Sequence, residues 1–275
     1  MFNKTMWFSL ILSLTSVALA QGRVQPQPST MQVEATSSQA TQTCKVTYSS
    51  GTFYTATKFC VTVNGNIPQF SVRGNQLFFP AGNAGDLEGY GVCDVTAGQR
   101  YYDYAAYDNG SWNASTLTQN GNTVTVTRTT ADGNWQLTQI IVNLPATANT
   151  VGSARVTMKL KNLTNVRRSV TLVRYAAENV AGLKNIYNTT EYTASGQLEF
   201  VNGLTITVSN FPPGFAANTF VQSIQSGPDP CLTKEFSVVS PPYNGLGSIA
   251  AEWALGTNTL GPGSTATVIS TYTPF

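Results

Sequence analysis

Between Thr123 and Thr129 a threonine stands at every second position, with Val124, Val126 and Arg128 between them. An alternation of period two gives a segment two chemically different sides only when the backbone is extended. Asn120-Gly121, just before it, suits a two-residue hairpin turn, and Asp132-Gly133 turns the chain again into 135–144. The segment therefore reads as three antiparallel strands in a meander. The pattern recurs where Val156, Met158 and Leu160 alternate with Arg155, Thr157, Lys159 and Lys161, giving one apolar and one basic side. Asn162-Leu163-Thr164-Asn165 makes a turn, and 169–176 returns. Further strands are expected at 52–63, 67–72, 197–208, 218–225, 234–239, 248–255 and 264–273, punctuated by Gly/Pro clusters at 211–214, 227–230 and 260–263. No window sustains a helical period. Strands in this number exceed what one open sheet holds without splitting. The expected fold class is all-β, a large antiparallel, supersandwich-like β-sandwich with little helix.

The N-terminus has a different character. Lys4, the apolar run from Trp7 to Ala20 and the ending Ala18-Leu19-Ala20 read as a secretory signal over residues 1–20, cut before Gln21. Residues 21–43, rich in Gln, Ser, Thr and Pro, lack the apolar content to pack and read as a flexible leader. Residues 44–275 are expected to form a single domain, since all-β domains of this size are often undivided. The expected location is outside the cytosol: secreted, extracellular or cell surface, or periplasmic. Nothing after the signal approaches the roughly 20 apolar residues of a spanning helix. Without Lys4 the chain carries 14 basic and 13 acidic residues, so no global field favours nucleic acid.

Four cysteines remain, Cys44, Cys60, Cys93 and Cys231. In an exported chain an even count at wide spacing reads as two disulfides with three possible connectivities. The favoured pairing is Cys44 with Cys60, flanking one hairpin, and Cys93 with Cys231, closing a long loop. A cysteine metal site is disfavoured, because there is no Cys-x-x-Cys pair and the chain contains no histidine.

The strands over Val151–Tyr175 and Leu260–Tyr272 resemble those of secreted bacterial β-sandwich and supersandwich proteins. That resemblance implies a fold class and carries no catalytic residue across. The absence of histidine removes Ser-His-Asp and Cys-His catalysis and imidazole bases. It also counts against a mutarotase, a supersandwich enzyme whose resemblance would imply catalytic histidines.

Chemistry concentrates between Asn83 and Trp112, which hold Asp86, Glu88, Asp94, Asp103 and Asp108 interleaved with Tyr90, Tyr101, Tyr102, Tyr104 and Tyr107. Aromatic faces stack on sugar C–H surfaces while carboxylates accept hydroxyl protons, so Glu88, Tyr90, Tyr102, Asp103, Tyr104 and Tyr107 are the candidate ligand-binding residues. If Tyr102 and Tyr104 point one way along a strand, Asp103 points the other, and the tyrosines then belong to a core. Asp86 and Glu88, in the Gly-rich loop 83–89, are weak calcium candidates; no other metal and no organic cofactor is expected. Glu88 with Asp103 is also the one candidate pair for glycoside hydrolysis. Arg155, Lys159 and Lys161, with Arg167, Arg168 and Arg174 on the returning strand, form a basic face for an anionic polysaccharide or a partner, or a merely solvated one.

Low charge, polar sheet faces and missing histidine lead to a first functional reading: a secreted, non-catalytic β-sandwich that binds glycan or a surface protein, or joins a surface assembly. The alternative is a carbohydrate-active enzyme, a polysaccharide lyase or glycoside hydrolase working with carboxylate and tyrosine groups.

Overall fold

A computed structural model describes residues 43–77, 88–105, 107–178, 185–198, 202–209, 211–222, 229–232, 242–245, 247–255 and 259–275, all within the compact unit Ser37–Phe275. The proposed signal, almost all of the leader, and the expected strand 234–239 lie outside these residues. The described residues are all-β and contain no helix, as the alternation required.

Three antiparallel sheets are present. The largest has nine strands in the order β17 (Tyr243–Asn244), β13 (Asn185–Thr189), β14 (Thr193–Leu198), β15 (Asn202–Ser209), β19 (Thr265–Pro274), β11 (Ser153–Asn162), β10 (Trp135–Leu144), β9 (Thr123–Thr129) and β8 (Thr116–Asn120). The second has six, in the order β16 (Ala216–Gln222), β18 (Gly247–Ala254), β12 (Val170–Glu178), β5 (Glu88–Asp94), β6 (Gln99–Tyr104) and β7 (Tyr107–Asp108). A small sheet runs β1 (Cys44–Ser50), β2 (Thr57–Thr62), β3 (Gln69–Val72), β4 (Asn75–Gln76). The meander read from threonine spacing is β8–β9–β10, with Gln136 opposite Thr129 and Thr138 opposite Thr127.

The nine- and six-stranded sheets face each other across one core, in which Val124, Val126, Leu137, Val156, Met158, Leu160 and Val268 of the larger sheet pack with Val92, Leu172, Ile249 and Trp253 of the smaller. Removing a buried aliphatic side chain of this kind from water contributes about 1.5–3 kcal/mol, so strand register is fixed by which face is apolar. The expected single strand at 197–208 is instead two, β14 and β15, with Leu198 paired to Asn202. Glu199-Phe200-Val201 carry no turn residue, so propensity alone runs straight through that reversal.

Two disulfides, Cys44–Cys60 and Cys93–Cys231, brace the fold. The first ties β1 to β2, and the second fastens the segment 229–232 to β5 across a sequence separation of 138. Asn162 belongs to the expected turn: its buried side-chain amide donates to the Val166 and Leu260 carbonyls at 2.8 and 2.9 Å, and its carbonyl oxygen accepts from the Thr164 N–H. The Asn-x-Ser/Thr sequon at Asn162 is thus buried and its amide engaged, whereas those at Asn109, Asn113 and Asn188 are exposed.

Candidate functional site

The six-stranded sheet divides the sequence-selected residues between its two faces. Glu88, Tyr90 and Asp103 point inward toward the nine-stranded sheet, whereas Tyr102 and Tyr104, one residue either side of Asp103, point outward. Tyr107 lies on β7 in register with Tyr104. Asp86 lies outside the described residues.

On the inner face the acids are held by guanidinium groups. Arg174, fully buried, places Nη2 2.5 Å from Glu88 Oε1, donates through Nη1 to Gln139 Oε1 at 2.6 Å and through Nε to the Tyr272 hydroxyl at 3.3 Å, and lies over the Tyr272 ring. The Tyr272 hydroxyl donates to Glu88 Oε1 at 2.9 Å, and the Ile67 N–H donates to Glu88 Oε2. Asp103 pairs with Arg128 and accepts from the Asn66 amide at 2.8 Å; Arg128 also donates to the Tyr90 hydroxyl at 3.0 Å. The β2–β3 turn supplies the remaining acceptors, its Asn64 carbonyl taking bonds from Tyr90 and Gln139 and its Gly65 carbonyl one from Arg174. Gly65 sits at φ +86°, and a Cβ there would stand 2.4 Å from the Gln139 amide nitrogen. Two acids and two guanidinium groups are thus locked between the sheets, with most of their hydrogen-bonding capacity filled.

Burial raises the Glu88 carboxyl above its ordinary value despite the opposing Arg174 charge and three hydrogen bonds. Burial pulls the Arg174 guanidinium down, but the Glu88 charge, Tyr272 and the hydrogen bonds to both together more than offset this and leave it raised. The expected basic face is corrected in the same way. Arg155, Lys159, Lys161 and Arg167 are exposed, but Arg174 lies in the core and Arg168 is partly buried against Asp94 at 2.8 Å. The position of Arg174, inward in register between Tyr90 and Ala251, is set by its strand alternation with Val173 and Tyr175.

The outer face is built differently. Reading across β16, β18, β12, β5 and β6, one register row is Asn218, Glu252, Val173, Gly91 and Tyr102, and the next is Phe220, Ala250, Tyr175, Gly89 and Tyr104. Tyr102 and Tyr104 stack with ring centroids 5.3 Å apart, and Tyr104 meets Tyr175 edge-on at 5.6 Å. Val173 and Gly91 leave a low floor between Glu252 and the tyrosines, whose strands lie three spacings apart, roughly 14 Å. At one end Pro230 sits over Gly91, where a Cβ would meet it at 3.0 Å. The Cys93–Cys231 bond and the Arg100–Asp229 ion pair at 2.8 Å hold that roof in place. The Tyr175 hydroxyl is buried without a hydrogen-bond partner of normal geometry, and Ser248 lies beside it. A buried hydroxyl left unsatisfied is unfavourable by about 1–3 kcal/mol. Burial holds the Tyr104 and Tyr175 phenols well above their ordinary value, so both are neutral hydrogen-bonding groups and not bases.

Glu252 and Tyr175 were not among the sequence candidates. A signal was present: Glu252 is a lone acid in the apolar run Ile249-Ala250-Ala251-Glu252-Trp253, and a charge in a strand buried on both faces calls for a reason. Among the described residues no group of three or more His, Cys, Asp or Glu side chains is placed to hold a metal ion, and no helix is long and apolar enough to cross a membrane.

No family model matches the sequence, and no curated protein matches it. Similarity appears at the level of fold. A bacterial glucoamylase complexed with acarbose is similar over 85% of this chain at 10% identity with a TM-score of 0.52, and the match spans 32% of the glucoamylase chain. A putative aldose 1-epimerase from Escherichia coli K12 is similar over 84% of this chain and 99% of its own, at 10% identity and a TM-score of 0.47. A galactose mutarotase related enzyme from Lactobacillus acidophilus covers 84% and 97%, at 7% identity and a TM-score of 0.45. The likeness to the glucoamylase is one of fold, an antiparallel β-sandwich. The glucoamylase likeness corrects the first functional reading, a non-catalytic binding domain, because the sandwich also occurs in a carbohydrate-active enzyme.

Proposed function

We propose that this chain is a carbohydrate-active enzyme, a polysaccharide lyase or glycoside hydrolase, whose chemistry is carried on the outer face of the six-stranded sheet. The observation that carries the reading is the juxtaposition, on that face, of the stacked Tyr102 and Tyr104, the unsatisfied Tyr175 hydroxyl and the buried carboxyl of Glu252. Tyr102, the half-buried ring of the stacked pair, offers a face to the C–H side of a sugar, with buried Tyr104 behind it, and the buried Tyr175 hydroxyl fits a ligand hydroxyl. Glu252 is the buried acid of that face, where the neighbouring phenols stay protonated, and it is the group we assign to proton transfer there. The likeness to a glucoamylase supports the class of substrate. The two disulfides fit work in an oxidising compartment, secreted or at a cell surface.

The test is turnover by the purified secreted protein on a panel of acidic and neutral polysaccharides. A lyase raises ultraviolet absorbance through the new C=C bond, and a hydrolase releases reducing ends without it. Wild-type product that disappears in Glu252→Gln, with the unfolding midpoint preserved, is the expected result. Silence across the panel, or full activity in Glu252→Gln, would overturn the proposal.

A further inference from the structure

The turn joining β1 to β2 carries two adjacent aromatic side chains in open solvent, Phe53 at 81% and Tyr54 at 76% exposure. Isolated exposed apolar residues need no explanation, but two rings held edge to face at 5.1 Å on a braced turn do. The bracing is specific. The Thr55 N–H donates to the Thr52 carbonyl at 2.9 Å, and the Thr52 N–H donates to Thr55 Oγ1 at 3.2 Å. The Ala146 N–H, from the β10–β11 connection, donates to Ser50 Oγ at 2.9 Å. Gly51 takes φ +85°, where a Cβ would stand 2.4 Å from the Thr55 carbonyl oxygen. Arg73 reaches the turn from the β3–β4 hairpin, Nε donating to the Tyr54 carbonyl at 3.0 Å, and reaches β15 through Asn202 at 3.4 Å. It occupies φ +52°, a left-handed position better suited to Asn or Gly.

Among the described residues from Thr43 to Leu77 the charge is of one sign. From Thr43 to Leu77 the chain contains Lys45, Lys58 and Arg73 and no Asp or Glu. The nine-stranded sheet, reached from the turn through Ala146 and Asn202, likewise has no acid in any of its strands, and Arg155 and Lys159 stand exposed on β11. We infer that the Phe53–Tyr54 turn is an anchoring site for an acidic polysaccharide, separate from the outer-face site, with the rings stacking on sugar faces and Lys58, Arg73, Arg155 and Lys159 meeting carboxylates along the chain. A lipid surface is the less fitting occupant, because the flanking residues Gly51, Thr52 and Thr55 are small or hydroxylated and no aliphatic side chain adjoins the rings in sequence. This inference rests on the carbohydrate reading above and names its substrate class.

The experiment is affinity electrophoresis of the full chain through gels containing polygalacturonate or neutral amylose, with co-sedimentation on phosphatidylglycerol–phosphatidylcholine vesicles alongside. Polygalacturonate is expected to retard the wild type, and Phe53→Ala/Tyr54→Ala to weaken that binding about tenfold or more at an unchanged unfolding midpoint. Lys58→Gln should weaken it less and reduce its salt sensitivity. Equal retardation of wild type and double variant, equal retardation by amylose, or capture by vesicles alone would overturn the inference. Binding is read without turnover. A chain that binds through this turn but cleaves nothing sinks the enzymatic proposal only, whereas a chain that cleaves while the double variant binds normally sinks this one only.

Discussion

The two faces of the six-stranded sheet take acids from neighbouring strands and treat them in opposite ways. Inside, Glu88 and Asp103 each meet an arginine and further donors, and the β2–β3 turn closes over them. Outside, Glu252 shares its face with neutral tyrosines, glycines and a roof tied down by a disulfide. Buried acids paired with arginines hold sheets in register, and the acid of the other face, Glu252, is proposed to have a different task. On the proposed function, this contrast leaves architecture to one face and gives chemistry to the other.

The comparison breaks most sharply at Glu252. Loss of a group that moves a proton typically lowers rate by about 10²–10⁴-fold. Glu252→Gln is accordingly expected to lose that much turnover at nearly unchanged stability, measured by initial rates beside urea denaturation. Arg174→Met should do the reverse. It leaves Glu88 buried without its cation, a change that destabilises by about 3–5 kcal/mol, read as a fall in the urea midpoint with turnover per folded molecule retained. Cys93→Ser/Cys231→Ser frees both the roof and the longer loop. On chain-entropy grounds it should destabilise by about 4–5 kcal/mol, against about 3 for Cys44→Ser/Cys60→Ser, and of the two pairs it alone should raise KM.

A smaller effect comes from pH. Because the folded-state pKa of Glu88 is raised, the folded protein keeps that proton to higher pH than the unfolded chain. Its contribution to stability is complete below the unfolded value near 4.5 and diminishes as pH rises through the folded one. The wild-type urea midpoint should therefore carry a downward slope above that pH which Glu88→Gln removes; identical slopes would assign it to other groups.

Much of this contrast was legible in the sequence, but not all. Threonine alternation at 123–129 and the apolar and basic sides of 155–161 fixed strand identity, and alternation also separated Tyr102 and Tyr104 from Asp103. What pattern alone cannot supply is which sheet lies opposite a given face. Arg174 read as part of a solvated row because its neighbours in sequence include Arg167 and Arg168, yet its strand is covered on both sides and the cation had to find Glu88, 86 positions away. Glu252 was passed over for the same reason in reverse, because an acid isolated in an apolar run belongs to no local cluster and gains meaning only when β18 is laid beside β12.

The most direct measurement sets Asp103→Asn beside Glu252→Gln in one turnover assay, with the folded fraction of each determined by near-ultraviolet circular dichroism. Asp103→Asn is expected to be less stable yet active per folded molecule, and Glu252→Gln to be folded and inactive. An inactive but folded Asp103→Asn alongside an active Glu252→Gln would place the chemistry between the sheets and contradict the division of labour drawn here.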